Sequence, residues 1–95
     1  MGLQQIELVM DAEKEFGIVI GSIDEYGQAV RTVGEFYDLV LRLVRANPSS
    51  KLAQRADLEQ HLWSRVAALS ADNGKGLKRE QSTRQTRFIE DLGFG

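Results

Sequence analysis

Residues 32–48 read Thr32-Val33-Gly34-Glu35-Phe36-Tyr37-Asp38-Leu39-Val40-Leu41-Arg42-Leu43-Val44-Arg45-Ala46-Asn47-Pro48, and this stretch decides the fold class. Thr32 and Glu35 stand at the spacing of a capping box, in which each side chain satisfies a free backbone N–H of the other residue. Behind that cap, Val33, Phe36, Tyr37, Val40, Leu43 and Val44 recur at helical steps and make a wide apolar stripe. Asn47-Pro48 stops the helix, because a proline ring disfavours helical backbone in the residue before it. A stripe this wide has to be covered by other elements.

The flanking sequence offers helices for that cover. Upstream, Leu3, Ile6, Val9, Met10 and Phe16 recur at steps of three, four and six, with Gln4, Gln5, Glu7, Asp11 and Lys14 between them. This predicts a helix over 3–16 that turns those five apolar residues to the core, with Gly17 as its C-terminal glycine. Ile18 to Ile20 is too short for a useful strand, and Gly21 to Gly27 has loop composition, with one helical turn expected over 24–29. Downstream, Pro48 to Arg55 is the polar linker. A third helix is expected to start near Asp57, with Gln60 as capping partner. Leu58, Leu62, Val66 and Leu69 share one face of it, Trp63 borders that face, and Asp72-Asn73-Gly74 breaks it. Lys75 to Arg87 reads as a polar loop with Leu77 as its one core candidate, and Phe88, Ile89 and Leu92 as a short apolar anchor. The expected fold is all-α: a small three- to four-helix bundle forming a single domain over residues 1–95.

Composition narrows the function. Ninety-five residues, 42% of them hydrophobic, suffice for one modest core. With no cysteine there is no disulfide, thiolate nucleophile or zinc finger, and one histidine makes a poor start for a His-based metal site or triad. No apolar run approaches the roughly 20 residues of a membrane span, and no signal-peptide pattern opens the chain. The expectation is a soluble, cytoplasmic protein that engages neither membrane nor nucleic acid. A net charge of −2 agrees with the latter. The charge is uneven: residues 1–48 carry eight acids and four bases, residues 49–95 eight bases and six acids. Such halves suit packing on each other, or an acidic face for a basic partner; they also suit two ordinary solvated surfaces.

Several segments match one family. Glu7-Leu8-Val9-Met10, with Glu13, Glu15, Phe16 and Ile20 after it, resembles the second helix of acyl carrier proteins and the segment that leaves it. Thr32-Val33 resembles the opening of their last helix, after a loop from Gly21 to Arg31 about two residues longer than usual. Arg65-Val66 and Leu69 resemble the end of their first helix. Gly76-Leu77-Lys78, Glu80, Thr83 and Phe88-Ile89-Glu90-Asp91-Leu92-Gly93 resemble the loop after it. The pieces cover nearly the whole chain in exchanged order, 1–47 resembling helices II to IV and 56–95 helix I with its loop. The resemblance implies a small helical bundle whose first helix runs antiparallel to the second and last. Circular permutation needs only that the eight residues from Pro48 to Arg55, with a reach of at most ~28 Å, join helices ~8–10 Å apart. The alternatives are a domain-swapped homodimer, in which 56–95 completes a second copy, and pieces of two neighbouring carrier domains.

The family's chemistry needs an Asp-Ser-Leu motif just before the second helix, where the serine carries the 4′-phosphopantetheine arm. Met1-Gly2-Leu3 falls on that motif, so Gly2 stands where the serine would be, and glycine has no hydroxyl to form the phosphodiester. Ser22, Ser49, Ser50, Ser64, Ser70 and Ser82 lack the Asp before and the Leu after. No cofactor is therefore expected. The resemblance implies a recognition face at Glu7, Asp11, Lys14 and Glu15 for protein partners with basic patches, and an apolar pocket lined by Leu3, Ile6, Met10, Phe36 and Val40. Ordinary solvation explains the first set equally, and packing explains the second. The expected role is a non-catalytic, acyl-carrier-like interaction module of an acyl or secondary-metabolite pathway. The alternative is a working carrier, or part of a tandem one, whose serine lies outside this chain.

Other residues point to no chemistry. His61 sits at the margin of an apolar face without a catalytic partner. Trp63 reads as core or bundle edge, the alternative being a partner anchor. Glu90 and Asp91 read as a solvated loop or helix cap, and Gly74, Gly76, Gly93 and Gly95 lack the spacing of a phosphate-binding loop. No metal site is expected.

Overall fold

The computed structural model describes residues 3–20, 30–74, 83–88 and 91, with backbone alone at 3–5. It has three helices: α1 over Leu3–Phe16, α2 over Val33–Arg45 and α3 over Leu58–Asn73. Among the described residues there is no strand, only an isolated antiparallel bridge between Thr32 and Arg87. The expected turn over 24–29, the loop from Gly21 to Gly27, and the core candidates Leu77, Ile89 and Leu92 lie outside the described residues.

α3 packs against both other helices. The contacts along it set the directions. Glu15, near the end of α1, pairs with Arg65 in the middle of α3, while Asp11 accepts from Asn73 at the end of α3. On the other side, the Tyr37 ring meets Trp63 edge-on at 5.6 Å, and Arg45 pairs with Glu59 near the start of α3. Both sets run in opposite order along the two helices they join, so α3 is antiparallel to α1 and to α2 within one chain. One core cluster includes Leu8, Val9, Ala12 and Phe16 of α1, Phe36, Leu39, Val40 and Val44 of α2, Leu58, Leu62, Val66 and Leu69 of α3, and Phe88.

α1 turns a different side inward from the one its stripe suggests. Leu8, Val9, Ala12 and Phe16 are buried, whereas Ile6 is 42% and Met10 62% exposed. The helix carries two apolar rows roughly half a turn apart, each at helical spacing, and periodicity alone does not rank them. The row led by Leu8 and Ala12 wins because Ala12, with no bulk beyond Cβ, allows the close approach that leaves it fully buried. α1 ends as expected: Gly17 takes a φ of +64° and its N–H donates to the Glu13 carbonyl at 3.0 Å.

α3 begins differently from the expectation. Asp57 is the N-cap residue, but its side chain makes no cap bond, and the Asp57–Gln60 capping pair does not form. The Asp57 carboxylate is held instead by the Arg55 guanidinium at 2.9 and 3.1 Å. The linker is built of turns, with Ser50 N donating to the Asn47 carbonyl and Arg55 N to Leu52, and with Leu52 and Ala53 packed on the core. Ser70 is fully buried, and among the described residues its hydroxyl has no partner. An unmade bond at a buried hydroxyl costs about 1–3 kcal/mol. Ser70→Ala should therefore raise the unfolding free energy by about 1 kcal/mol, read from urea denaturation.

Candidate functional site

The N-terminus of α2 is held by a capping box and by a segment from far along the chain. The first backbone N–H groups of a helix have no partner inside it. Here Thr32 N donates to Glu35 Oε1 at 3.1 Å and Glu35 N to Thr32 Oγ1 at 3.2 Å, the capping box expected from the sequence. The other two donors are met by a segment far along the chain, Val33 N by the Thr86 carbonyl at 2.9 Å and Gly34 N by the Arg84 carbonyl at 3.1 Å. Phe88 N returns a bond to the Arg31 carbonyl at 3.0 Å, and the Phe88 ring stands edge-on to Phe36 at 6.1 Å. Arg84 closes the arrangement, reaching Asp38 at 2.7 Å and lying over the Tyr37 ring at 5.7 Å. Gly34 makes this approach possible, since a Cβ there would sit 2.7 Å from the Arg84 carbonyl oxygen. The polar loop expected over 75–87 is therefore, in its described part 83–87, a docked segment with Thr86 buried. All four of these donors are taken, so none of them is left to hold an anion. Thr32→Ala should cost about 1 kcal/mol of unfolding free energy, measured by thermal denaturation.

The residues of the expected recognition face divide between two jobs. Glu15 is drawn onto α3, where both its oxygens take Arg65 at 2.7 Å. Asp11 is exposed and accepts from the Asn73 amide at 3.2 Å. Glu7 and Lys14 are exposed on the outer side of α1. Glu7 and Lys14 thus face outward, Asp11 is exposed at the edge of the seam between α1 and α3, and Glu15 belongs to that seam. Gly2 lies outside the described residues.

The expected apolar lining falls on opposite sides of the helical layer. Phe36 and Val40 are in the core, at 2% and 0% exposure, while Ile6 and Met10 are on the surface. The side chain of Leu3 lies outside the described residues. Two clefts among the described residues open elsewhere. One of about 620 Å³ lies between the end of α2 and the start of α3, lined by Arg45, Pro48, Arg55, Asp57 and Leu58 among others. Its charged walls are already paired, Arg45 with Glu59 and Arg55 with Asp57. A smaller one of about 170 Å³, lined by Phe16, Ile18, Leu43 and Val44 among others, lies beside the end of α1.

Two carboxyls titrate low for different reasons. The hydrogen bond from the Arg55 side chain holds Asp57 below the ordinary carboxylate range, whereas for Asp91 the largest cause is the backbone N–H of Arg87, at 2.8 Å. A carboxyl whose folded value is depressed adds stability that is present above its unfolded pKa of about 3.9 and is lost as pH falls through the folded value. Carboxyl NMR titration should show Arg55→Ala returning Asp57 toward the ordinary range, while Arg87→Ala leaves Asp91 still below it, because the backbone N–H remains. The Tyr37 hydroxyl titrates high, chiefly from burial and then from Glu59, whose carbonyl it bonds at 3.3 Å.

Among the described residues no cluster of three His, Asp or Glu side chains is placed to hold a metal ion, and no helix is long and apolar enough to cross a membrane. His61 is half-buried, and Trp63, also half-buried, packs at the bundle edge against Tyr37. No family model, no curated protein and no solved structure matches the chain.

Proposed function

We propose that the chain is an acyl-carrier-like bundle in permuted order that carries no phosphopantetheine arm of its own. In this reading it acts without catalysis, as a cytoplasmic docking module for enzymes of an acyl or secondary-metabolite pathway that present a basic patch. The observation that supports it most is the antiparallel placement of α3 against both α1 and α2, over one shared core. That is the relation the resemblance requires of helix I toward helices II and IV, and it supports the reading for the described residues. Glu7 on the outer side of α1 and Asp11 at its edge supply the acidic charge for docking, beside the exposed Met10.

The missing arm is tested by mass. Incubation with coenzyme A and a phosphopantetheinyl transferase is expected to leave the mass of the protein unchanged. Gain of one arm on any serine contradicts the reading, and a Gly2→Ser variant checks whether the hydroxyl alone is what the chain lacks.

A further inference from the structure

We propose that Asn73-Gly74, the last residue of α3 and the one after it, is a site of spontaneous deamidation that Asp11 of α1 restrains. An asparagine side chain is open to attack at Cγ by the backbone nitrogen of the next residue. The attack is fastest before glycine, which has no Cβ to crowd the approach. The chain has two asparagines, and the other, Asn47, precedes Pro48. Proline has no backbone N–H to give up, so Asn47 is closed to this reaction and Asn73 is not. Asn73 also stands at the end of its helix, where local opening costs least.

The fold sets both the rate and the consequence. The Asn73 amide nitrogen donates to the Asp11 carboxylate at 3.2 Å and to the Leu69 carbonyl at 2.9 Å. Leu69 lies one turn back along α3, so this grip draws the amide away from Gly74 N, which itself donates to the Ala71 carbonyl at 3.2 Å. Release of the amide lets Gly74 N bond to Asn73 Cγ. The Cγ–Nδ2 bond breaks, ammonia leaves with the proton that Gly74 N gives up, and a cyclic imide remains. Water then opens the imide at either carbonyl and leaves aspartate or isoaspartate at position 73. Nothing is oxidised or reduced. Either product replaces the amide donors by a carboxylate. That charge is repelled by Asp11 and disfavoured at the carbonyl end of α3. The same seam between α1 and α3 holds the Arg65–Glu15 pair, so deamidation loosens it and makes it more acidic.

The test is incubation of the folded protein for several weeks in warm, mildly alkaline buffer. Peptide mass spectrometry reads the replacement of NH2 by OH at each asparagine, and the protein unfolded in guanidinium chloride supplies the intrinsic rate. Asn73 should convert in the folded protein, more slowly than in the unfolded one, and Asn47 should stay intact. Asp11→Ala should quicken the folded-state reaction about threefold, the effect of losing one exposed charge-assisted bond, and leave the unfolded-state rate unchanged. Val44→Ala, which weakens the buried core near the other end of α3, should leave both rates unchanged, so local release is told apart from global unfolding. The consequence is read by thermal unfolding. Asn73→Asp should melt about 2–4 °C below the wild type, and adding Asp11→Asn should recover most of that loss, because an amide there donates to the new carboxylate. An Asn73 amide that outlasts full conversion of the unfolded chain overturns the proposal. So does a folded-state rate that ignores Asp11→Ala or rises equally with Val44→Ala, and so does an Asn73→Asp variant as stable as the wild type. No other protein takes part, so the outcome is separate from that of the docking function above.

Discussion

Gly34→Ala is expected to destabilise the protein by about 2 kcal/mol, against the usual benefit of alanine in a helix. Alanine at a solvated helical position would add about 1 kcal/mol. At Gly34 the new Cβ would meet backbone, 2.7 Å from the Arg84 carbonyl oxygen and 3.0 Å from its Cα, and backbone cannot rotate away. Relief requires the 83–88 segment to lift. Lifting breaks the bonds from Val33 N and Gly34 N and withdraws Phe88, only 2% exposed, from Phe36. Burial of a Phe side chain alone contributes about 1.5–3 kcal/mol, so partial undocking outweighs the gain in helix propensity. Urea denaturation measures the loss, and amide exchange should quicken selectively at Val33, Gly34 and Phe88. A variant as stable as the wild type would show that the segment is not seated on α2.

Leu62→Ala is expected to cost about 2–5 kcal/mol, while Met10→Ala stays within about 0.5 kcal/mol of the wild type. Leu62 is fully buried in the second turn of α3, the helix that both others pack against, and a cavity there has neighbours from two sides. With small domains stable by about 5–15 kcal/mol, the Leu62 loss threatens the whole fold. Met10 is 62% exposed, so its truncation removes little buried area. The contrast is informative because both residues sit in apolar rows of helical period. Equal losses at the two positions would mean that α1 turns its other side inward.

These two cases also mark what was legible in the sequence. The bounds of α1 and α2 could be read locally, because Gly17 and the Thr32–Glu35 box act within a few residues. The inward side of α1 could not. Val9 and Phe16 belong to the buried row, Ile6 and Met10 do not, and the choice is made by the neighbours that cover Leu8 and Ala12. On α2, Leu39 is buried although it stood outside the stripe, because the helix is covered on more than one side. On α3, burial extends past the row of Leu58, Leu62, Val66 and Leu69 to Ala67, Ala68 and Ser70. Small residues carry weak hydrophobic signal, so that broader face was hidden. The role of 83–88 was masked by its polarity, since the two bonds that meet the first N–H groups of α2 come from its backbone carbonyls, which no side-chain pattern shows. Gly34 in the first turn of a strong helix was the available sign of a close approach. Of the candidate site, the outward position of Glu7 and Lys14 and the exposure of Asp11 follow from their spacing. The capture of Glu15 depends on Arg65, fifty residues away, which no local pattern reveals.

The proposed docking through the outer side of α1 is tested most directly by a chemical-shift titration of the labelled protein. The added partner is an enzyme of an acyl pathway that presents a basic patch, at low salt. Docking predicts that the amide signals of Glu7, Met10, Asp11 and Lys14 move together and saturate, that those of the core residues Leu62 and Val66 stay in place, and that added salt reverses the shifts. Shifts centred on another surface, or none at saturating partner, would contradict it.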